Sequence, residues 1–372
     1  MNRIRQINQL GQSIWIDFIS RDMLRSGRLR ELVNEGVTGL TSNPSIFQKA
    51  ISTGSEYDNQ IRELARAGAD AYAMCEALII ADIAEAADLL RPVYNETHGR
   101  DGFVSIEVNP KLAADTAATL TEARRLHSTL NRPNVMIKVP GTEAGLPAIR
   151  TLIGEGINVN VTLIFGVPMY EKVMQAYLDG LRDLRTRGKP LGLVSSVASF
   201  FVSRVDTLVD KLITDRAKAG DKGLDGLRGQ AAVANAKIAY ATFHETFGGA
   251  SFNELRAAGA RVQRPLWAST STKNPDYAST KYVDGLIGPD TVNTVPMETL
   301  DAIRQHSCPA RTIDMDVAHA YGLIEKLGAA GINFTAVTDQ LLSEGVTLFA
   351  NSFDKLLSDL TAKREQFAKR SA

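Results

Sequence analysis

A chain of 372 residues with 42 basic and 42 acidic side chains has no formal net charge, and no lysine or arginine block is long enough to track a nucleic-acid backbone, which argues against nucleic acid as a partner. No apolar run reaches the roughly 20 residues of a membrane span, and the amino terminus MNRIRQINQLGQSIWIDFIS lacks the continuous apolar core of a secretory signal, so a cytoplasmic protein with no membrane partner is expected. The two cysteines, Cys75 and Cys308, have no ligand-like spacing to any histidine, which indicates neither a disulfide framework nor a zinc site, and no metal or other cofactor is expected.

In chain order, short apolar or β-branched runs alternate with longer helical patterns. The first run, SIWIDF (13–18), is interrupted near its end by Asp17. A carboxylate there either caps the following helix or faces a cavity at the strand end. Ser20 is the better cap for the helical stretch SRDMLRSGRLRELVNEG, with Asp22 in its first turn and Met23, Leu24, Leu29, Leu32 and Val33 apolar. GVTGLT (36–41) leads into TSNPSIF, where Pro44 restricts the chain at Asn43 and holds its amide. Ordinary Asn-Pro turn chemistry is the plainer reading of that segment.

Helices over about 55–96 precede FVSIEV (103–108), which carries Glu107. NVMIKVP (134–140) then sets Lys138 between apolar neighbours. Desolvation penalises a buried ammonium, so Lys138 is either a candidate amine nucleophile or a side chain whose stem lies on apolar surface with its head in water. On adjacent strands Glu107 and Lys138 come close enough to interact, as a buried ion pair or as a pair that exchanges protons. INVNVTLIF (157–165) puts Asn158, Asn160 and Thr162 on one side and Val159, Val161 and Leu163 on the other. A buried polar side needs a polyhydroxylated ligand or water, because each unsatisfied group costs about 1 to 3 kcal/mol. LGLVSSVASF (191–200) carries Ser199 near its end, and Arg204 follows in the first turn of the next helix. A helix start and a guanidinium together suit a phosphate, whereas a solvated surface arginine is the plainer alternative. The polar insertion AKAGDKGLDGLRGQ and helices within about 215–260 lead to RPLWAST (264–270), with Ser269, and then to DTVNTVP (290–296). Residues 307–372 continue as further helices that either cover one mouth of the fold or mediate association.

Eight strands alternating with helices predict an α/β fold, a (β/α)8 TIM barrel with extra helices and a helical C-terminal extension, forming one domain over 1–372. No strand is followed by a glycine-rich dinucleotide loop, which argues against an open doubly wound sheet. Reactive groups in such barrels gather at the carboxyl ends of the strands. The candidates are therefore Asp17, Asn43, Glu107, Lys138, Asn160, Thr162, Ser199, Arg204 and Ser269. The five histidines all fall in helical or loop contexts and are read as surface or packing residues.

The segments GLTSNPSIF (39–47) and VMIKVPGTEAGLPAI (135–149) resemble the two signature segments of transaldolase, and IEVNPKLA, NVTLIF, SFFVSRVD and RPLWASTSTKNPDY extend the resemblance, in order, across most of the chain. It is the longer bacterial form that the chain resembles. The resemblance implies an enzyme of the non-oxidative pentose phosphate pathway that moves a dihydroxyacetone unit between phosphorylated sugars through a Schiff base on Lys138. It further implies Asp17 as the acid/base for carbon–carbon cleavage, Glu107 and Thr162 as proton handlers acting through a water, and Asn43 and Asn160 as groups orienting hydroxyls. Ser199, Arg204 and Ser269 fall at the implied phosphate end. Relatives with the shorter chain carry a second phosphate-binding arginine two positions beyond the matching serine; here that position is Ser271, with Lys273 nearby. A homodimer is also implied. The alternative within the superfamily is a lyase of the fructose 6-phosphate aldolase type, which releases dihydroxyacetone to water, and this chain is much longer than such enzymes.

Overall fold

Apolar and β-branched runs buried on both faces form the inner wall of this protein, whose computed structural model describes residues 2–221 and 223–369. The strands are β1 (Gln12–Ile16), β2 (Val37–Thr41), β3 (Val104–Glu107), β4 (Val135–Pro140), β5 (Val159–Ile164), β6 (Ser196–Phe201), β7 (Arg264–Ala268) and β8 (Thr291–Val295). All neighbours pair in parallel and in chain order, and β8 returns to β1 through Ile16 opposite Val295, closing an eight-stranded barrel. Helices follow the strands around the outside, as the TIM-barrel expectation requires.

The strand boundaries fall within a few residues of the sequence expectation, with one larger shift. Residues 191–193 form a 3-10 turn, and β6 begins only at Ser196, opposite Val159 at the start of β5. Before it, only Ser195 reaches the neighbouring segment, its carbonyl accepting from the Val159 amide at 3.3 Å. The helical stretch after β1 is also two helices, Arg21–Arg25 and Arg28–Glu35. Gly27 between them has φ +87°, a left-handed conformation that ends the first helix at little cost only because the residue is glycine. Ser20 caps the first of the two, accepting from the Met23 amide, and Asp22 sits in its first turn.

The amino end of the barrel is plugged by polar groups that satisfy one another. Arg264 pairs with Asp101 at 3.0 Å and donates to Ser13 Oγ at 2.8 Å, while the Trp15 indole donates to Asp101 at 2.9 Å. The indole lies so close to β2 that a Cβ on Gly39 would stand 2.5 Å from it.

Three helices, Pro44–Thr53, Asp58–Arg66 and Ala71–Glu96, fill the β2–β3 connection, and Ala231–Gly248 and Ala250–Ala257 lie between β6 and β7, where additional helices were expected. Lys222 of the polar insertion and residues 370–372 of the extension lie outside the described residues. The extension forms two helices, Val317–Ala329 and the 36-residue Phe334–Lys369. The longer one packs across the carboxyl mouth of the barrel, the covering position that the sequence left open. Ser352 bonds Ser45 at 2.7 Å, Asp359 accepts from Ser52 at 2.6 Å and from Gln48 at 2.8 Å, and Lys363 donates to the Ile51 carbonyl at 2.8 Å. Leu356 and Leu360 of this helix are fully buried.

Candidate active site

Under that helix, at the carboxyl ends of the strands, lies a cavity of about 260 Å³. Of the nine sequence candidates, Asp17, Asn43, Lys138, Thr162, Ser199, Arg204 and Ser269 line it. Glu107 and Asn160 stand behind the lining, one on each side of Lys138, because the strand register sets Glu107 opposite Lys138 and Lys138 opposite Asn160.

Lys138 is 4% exposed, so its head does not reach bulk water. Its Nζ donates to the Ser42 carbonyl at 3.2 Å, lies 3.3 Å from Glu107 Oε2, and faces the ring of Phe349 with 5.6 Å to the centroid. At that spacing the Glu107 carboxylate is an ion-pair partner, yet neither of its oxygens makes a hydrogen bond with a described residue. Burial pushes the Glu107 carboxyl up to about 7, against the opposing pull of the Lys138 charge. Such a group changes protonation state near neutral pH. The Thr162 hydroxyl, also buried, likewise has no partner among the described residues. Orphaned buried groups of this kind need a water or a substrate hydroxyl to satisfy them.

Asp17 stands at the end of β1 with its backbone amide bonded to the Val295 carbonyl at 2.8 Å. Its carboxylate accepts from Thr41 Oγ1 at 2.7 Å, and Thr41 Oγ1 in turn lies 2.6 Å from Thr294 Oγ1. Burial raises the Asp17 carboxyl above its ordinary value; the Lys138 charge and the Thr41 bond oppose the shift. Asn160 is held at both ends of its amide, donating to Ser105 Oγ at 3.0 Å and accepting from Ser199 Oγ at 2.7 Å. Ser199 therefore commits its hydrogen-bond donor to Asn160, at the depth of Lys138. Asn43 caps the Pro44–Thr53 helix, accepting from the Ile46 amide at 3.0 Å, which fixes the side chain and leaves its amide nitrogen for the cavity.

The Asn160–Thr162 side of β5 faces inward as the alternation predicts, but the alternation ends there. Leu163 has φ +60°, and the β5–β6 register slips between Val161 and Ile164. Ser269, at the end of β7, has φ +55°, and its Oγ lies 3.1 Å from that of Ser203. Two non-glycine residues in the left-handed region beside one cavity are strain of the sort that gathers at functional sites. At the rim, half-buried Arg204 makes no hydrogen bond or ion pair with a described residue, and its guanidinium lies 5.5 Å from the Phe201 ring. Lys49, Ser271 and Lys273 border the same rim.

Comparison with known proteins bears on this geometry directly. The family model described as Transaldolase/Fructose-6-phosphate aldolase matches residues 14–360. The chain belongs to that family. Among its relatives are Transaldolase 2 of Nostoc sp. (strain PCC 7120 / SAG 25.82 / UTEX 2576), 48% identical over 372 residues and 98% of both chains, and the Transaldolase of Mycobacterium tuberculosis (strain ATCC 25618 / H37Rv), 48% identical over 96% of this chain and 95% of that one. Transaldolase 2 of Nostoc punctiforme (strain ATCC 29133 / PCC 73102) is 45% identical over 97% of each.

Within this transaldolase-family barrel, sequence reasoning missed Thr41, Ser105, Lys49 and Phe349, and also Glu298, which lines the cavity and whose charge adds to the rise of the Asp17 carboxyl. Thr41 lies inside the quoted segment GLTSNPSIF, so its hydroxyl was visible while its partner was not. Lys49 falls on the cavity face of its helix one turn after Ser45, a spacing the sequence does show. Phe349 had no signal, because it reaches the cavity only through the docking of a helix from the far end of the chain.

Proposed function

We propose that this chain transfers a dihydroxyacetone unit from sedoheptulose 7-phosphate to glyceraldehyde 3-phosphate, giving erythrose 4-phosphate and fructose 6-phosphate, with Lys138 as the covalent nucleophile. The observation that carries this reading is the buried Lys138 amine 3.3 Å from the Glu107 carboxylate, which has no hydrogen-bond partner among the described residues, at the floor of the carboxyl-end cavity. In its neutral form the amine adds to the ketone carbon of the donor. Glu107 and Thr162, through a water, pass protons to and from the carbinolamine oxygen so that it leaves as water and the protonated imine forms.

Asp17 then takes the proton of the donor's C4 hydroxyl. The C3–C4 bond breaks, its electron pair moves into the iminium to give an enamine on Lys138, and erythrose 4-phosphate departs as the aldehyde. The enamine carbon attacks the aldehyde carbon of glyceraldehyde 3-phosphate, Asp17 returns its proton to the new hydroxyl, and hydrolysis of the imine frees fructose 6-phosphate. Asn160, fixed by Ser105 and Ser199, and Asn43, fixed by its cap, orient hydroxyls along this path. Arg204, at the second position of its helix, meets the phosphate, with Ser269 and Lys273 beside it.

Incubation with fructose 6-phosphate and erythrose 4-phosphate tests the reading: sedoheptulose 7-phosphate should accumulate with glyceraldehyde 3-phosphate. Accumulation of free dihydroxyacetone in its place would support the lyase alternative, which the transaldolase names of near-full-length relatives do not favour. A cytoplasmic, homodimeric enzyme folded as one domain completes the reading, and sedimentation equilibrium tests the dimer.

A further inference from the structure

Two fates are open to the enamine on Lys138. Transfer needs an acceptor aldehyde at its carbon. Release needs a proton at that same carbon, after which water adds to the iminium, the carbon–nitrogen bond breaks, and dihydroxyacetone leaves with Lys138 restored. Both routes end in imine hydrolysis, so the site must admit water near the imine and still deny the enamine carbon a solvent proton donor.

The surroundings of Lys138 are divided in that way. Glu107 and Thr162 supply the polar side, and the ring of Phe349 supplies an apolar one, 4% exposed, lining the cavity and 5.6 Å from Nζ. Phe349 is there because the carboxy-terminal helix comes down closely on the barrel. One turn before it, a Cβ on Gly345 would stand 3.0 Å from Leu163 Cδ2 and 3.5 Å from the Phe165 ring. Glycine at that turn lets the helix approach the end of β5, and the strained Leu163 meets it there. One turn after Phe349, Phe353 is also buried, so the ring belongs to a continuous packed face.

We propose that Phe349 sets the outcome of the reaction, favouring transfer over release, by keeping solvent proton donors from the enamine carbon. The inference rests on the transaldolase reading above. With fructose 6-phosphate as donor and erythrose 4-phosphate as acceptor, the readout is the ratio of free dihydroxyacetone to sedoheptulose 7-phosphate. Phe349→Ala should raise it by about tenfold or more, since proton leakage is the side reaction that an apolar cover suppresses. Phe349→Leu, which keeps an apolar cover, should bring the ratio back toward the wild-type value. Gly345→Val should raise it too, because the ring is retained while the helix is pushed off the strand, and this variant serves if Phe349→Ala does not fold. Borohydride trapping on Lys138, run alongside, separates the two claims. A trapped adduct with a ratio unchanged in both Phe349→Ala and Gly345→Val would overturn the role of Phe349, whereas no adduct in the wild-type chain would overturn the Schiff-base reading on which it stands.

Discussion

Asp17 and Glu107 are both carboxylates near Lys138, yet their surroundings differ. Asp17 is held by the Thr41 hydroxyl and lines the cavity; Glu107 pairs with Lys138 at 3.3 Å and has no hydrogen-bond partner among the described residues. Asp17→Asn should therefore slow carbon–carbon cleavage by about 10² to 10⁴-fold while leaving imine trapping intact, as single-turnover kinetics with borohydride quenching would show. For Glu107 the ordinary value of 4.5 is raised to about 7 in the folded chain. Between those two pH values the folded state holds a proton that the unfolded state has released, so stability falls as pH rises through the window. Glu107→Gln removes that dependence. Urea unfolding at pH 5 and at pH 7.5 should show the variant gaining on the wild type at the higher pH. At this scale Lys138 was legible from its apolar neighbours, and Glu107 from its place on the preceding strand. The Ser199–Asn160–Ser105 chain was not, because it depends on side-chain directions across three strands.

Strands were legible as elements because short apolar or β-branched runs, some of them alternating with polar residues as in β5, are bounded by loops and helical patterns. Their starts were less so, since a strand begins where its neighbour offers a partner: β6 waits for Ser196 because β5 starts at Val159. Packing between strands also makes demands that a single-strand pattern hides. Gly39 lies against the Trp15 indole, with 2.5 Å to an added Cβ. Gly39→Ala should force β1 and β2 apart and cost about 1 to 3 kcal/mol, measured as a drop in Tm or in the urea midpoint.

The whole molecule joins a barrel assembled from neighbouring segments to a helix from the end of the chain. The sequence showed that residues 307–372 continue as further helices, but no pattern within a helix tells which distant surface will receive it. The attachment is polar at its edge, through Asp359 with Ser52 and Gln48, and apolar beneath, through Leu356 and Leu360. Asp359→Ala should weaken the attachment by about 1 to 2 kcal/mol, given two lost bonds to a charged acceptor. Hydrogen exchange should then quicken in residues 345–363 more than in the barrel strands.

The proposed chemistry depends on Lys138 forming the covalent link to substrate. Borohydride reduction of the purified protein with and without fructose 6-phosphate, followed by peptide mass spectrometry, tests it most directly. The account predicts a substrate-dependent adduct on Lys138 that Lys138→Ala abolishes together with turnover. A folded protein that binds the sugar and turns it over with Lys138 unmodified would contradict it.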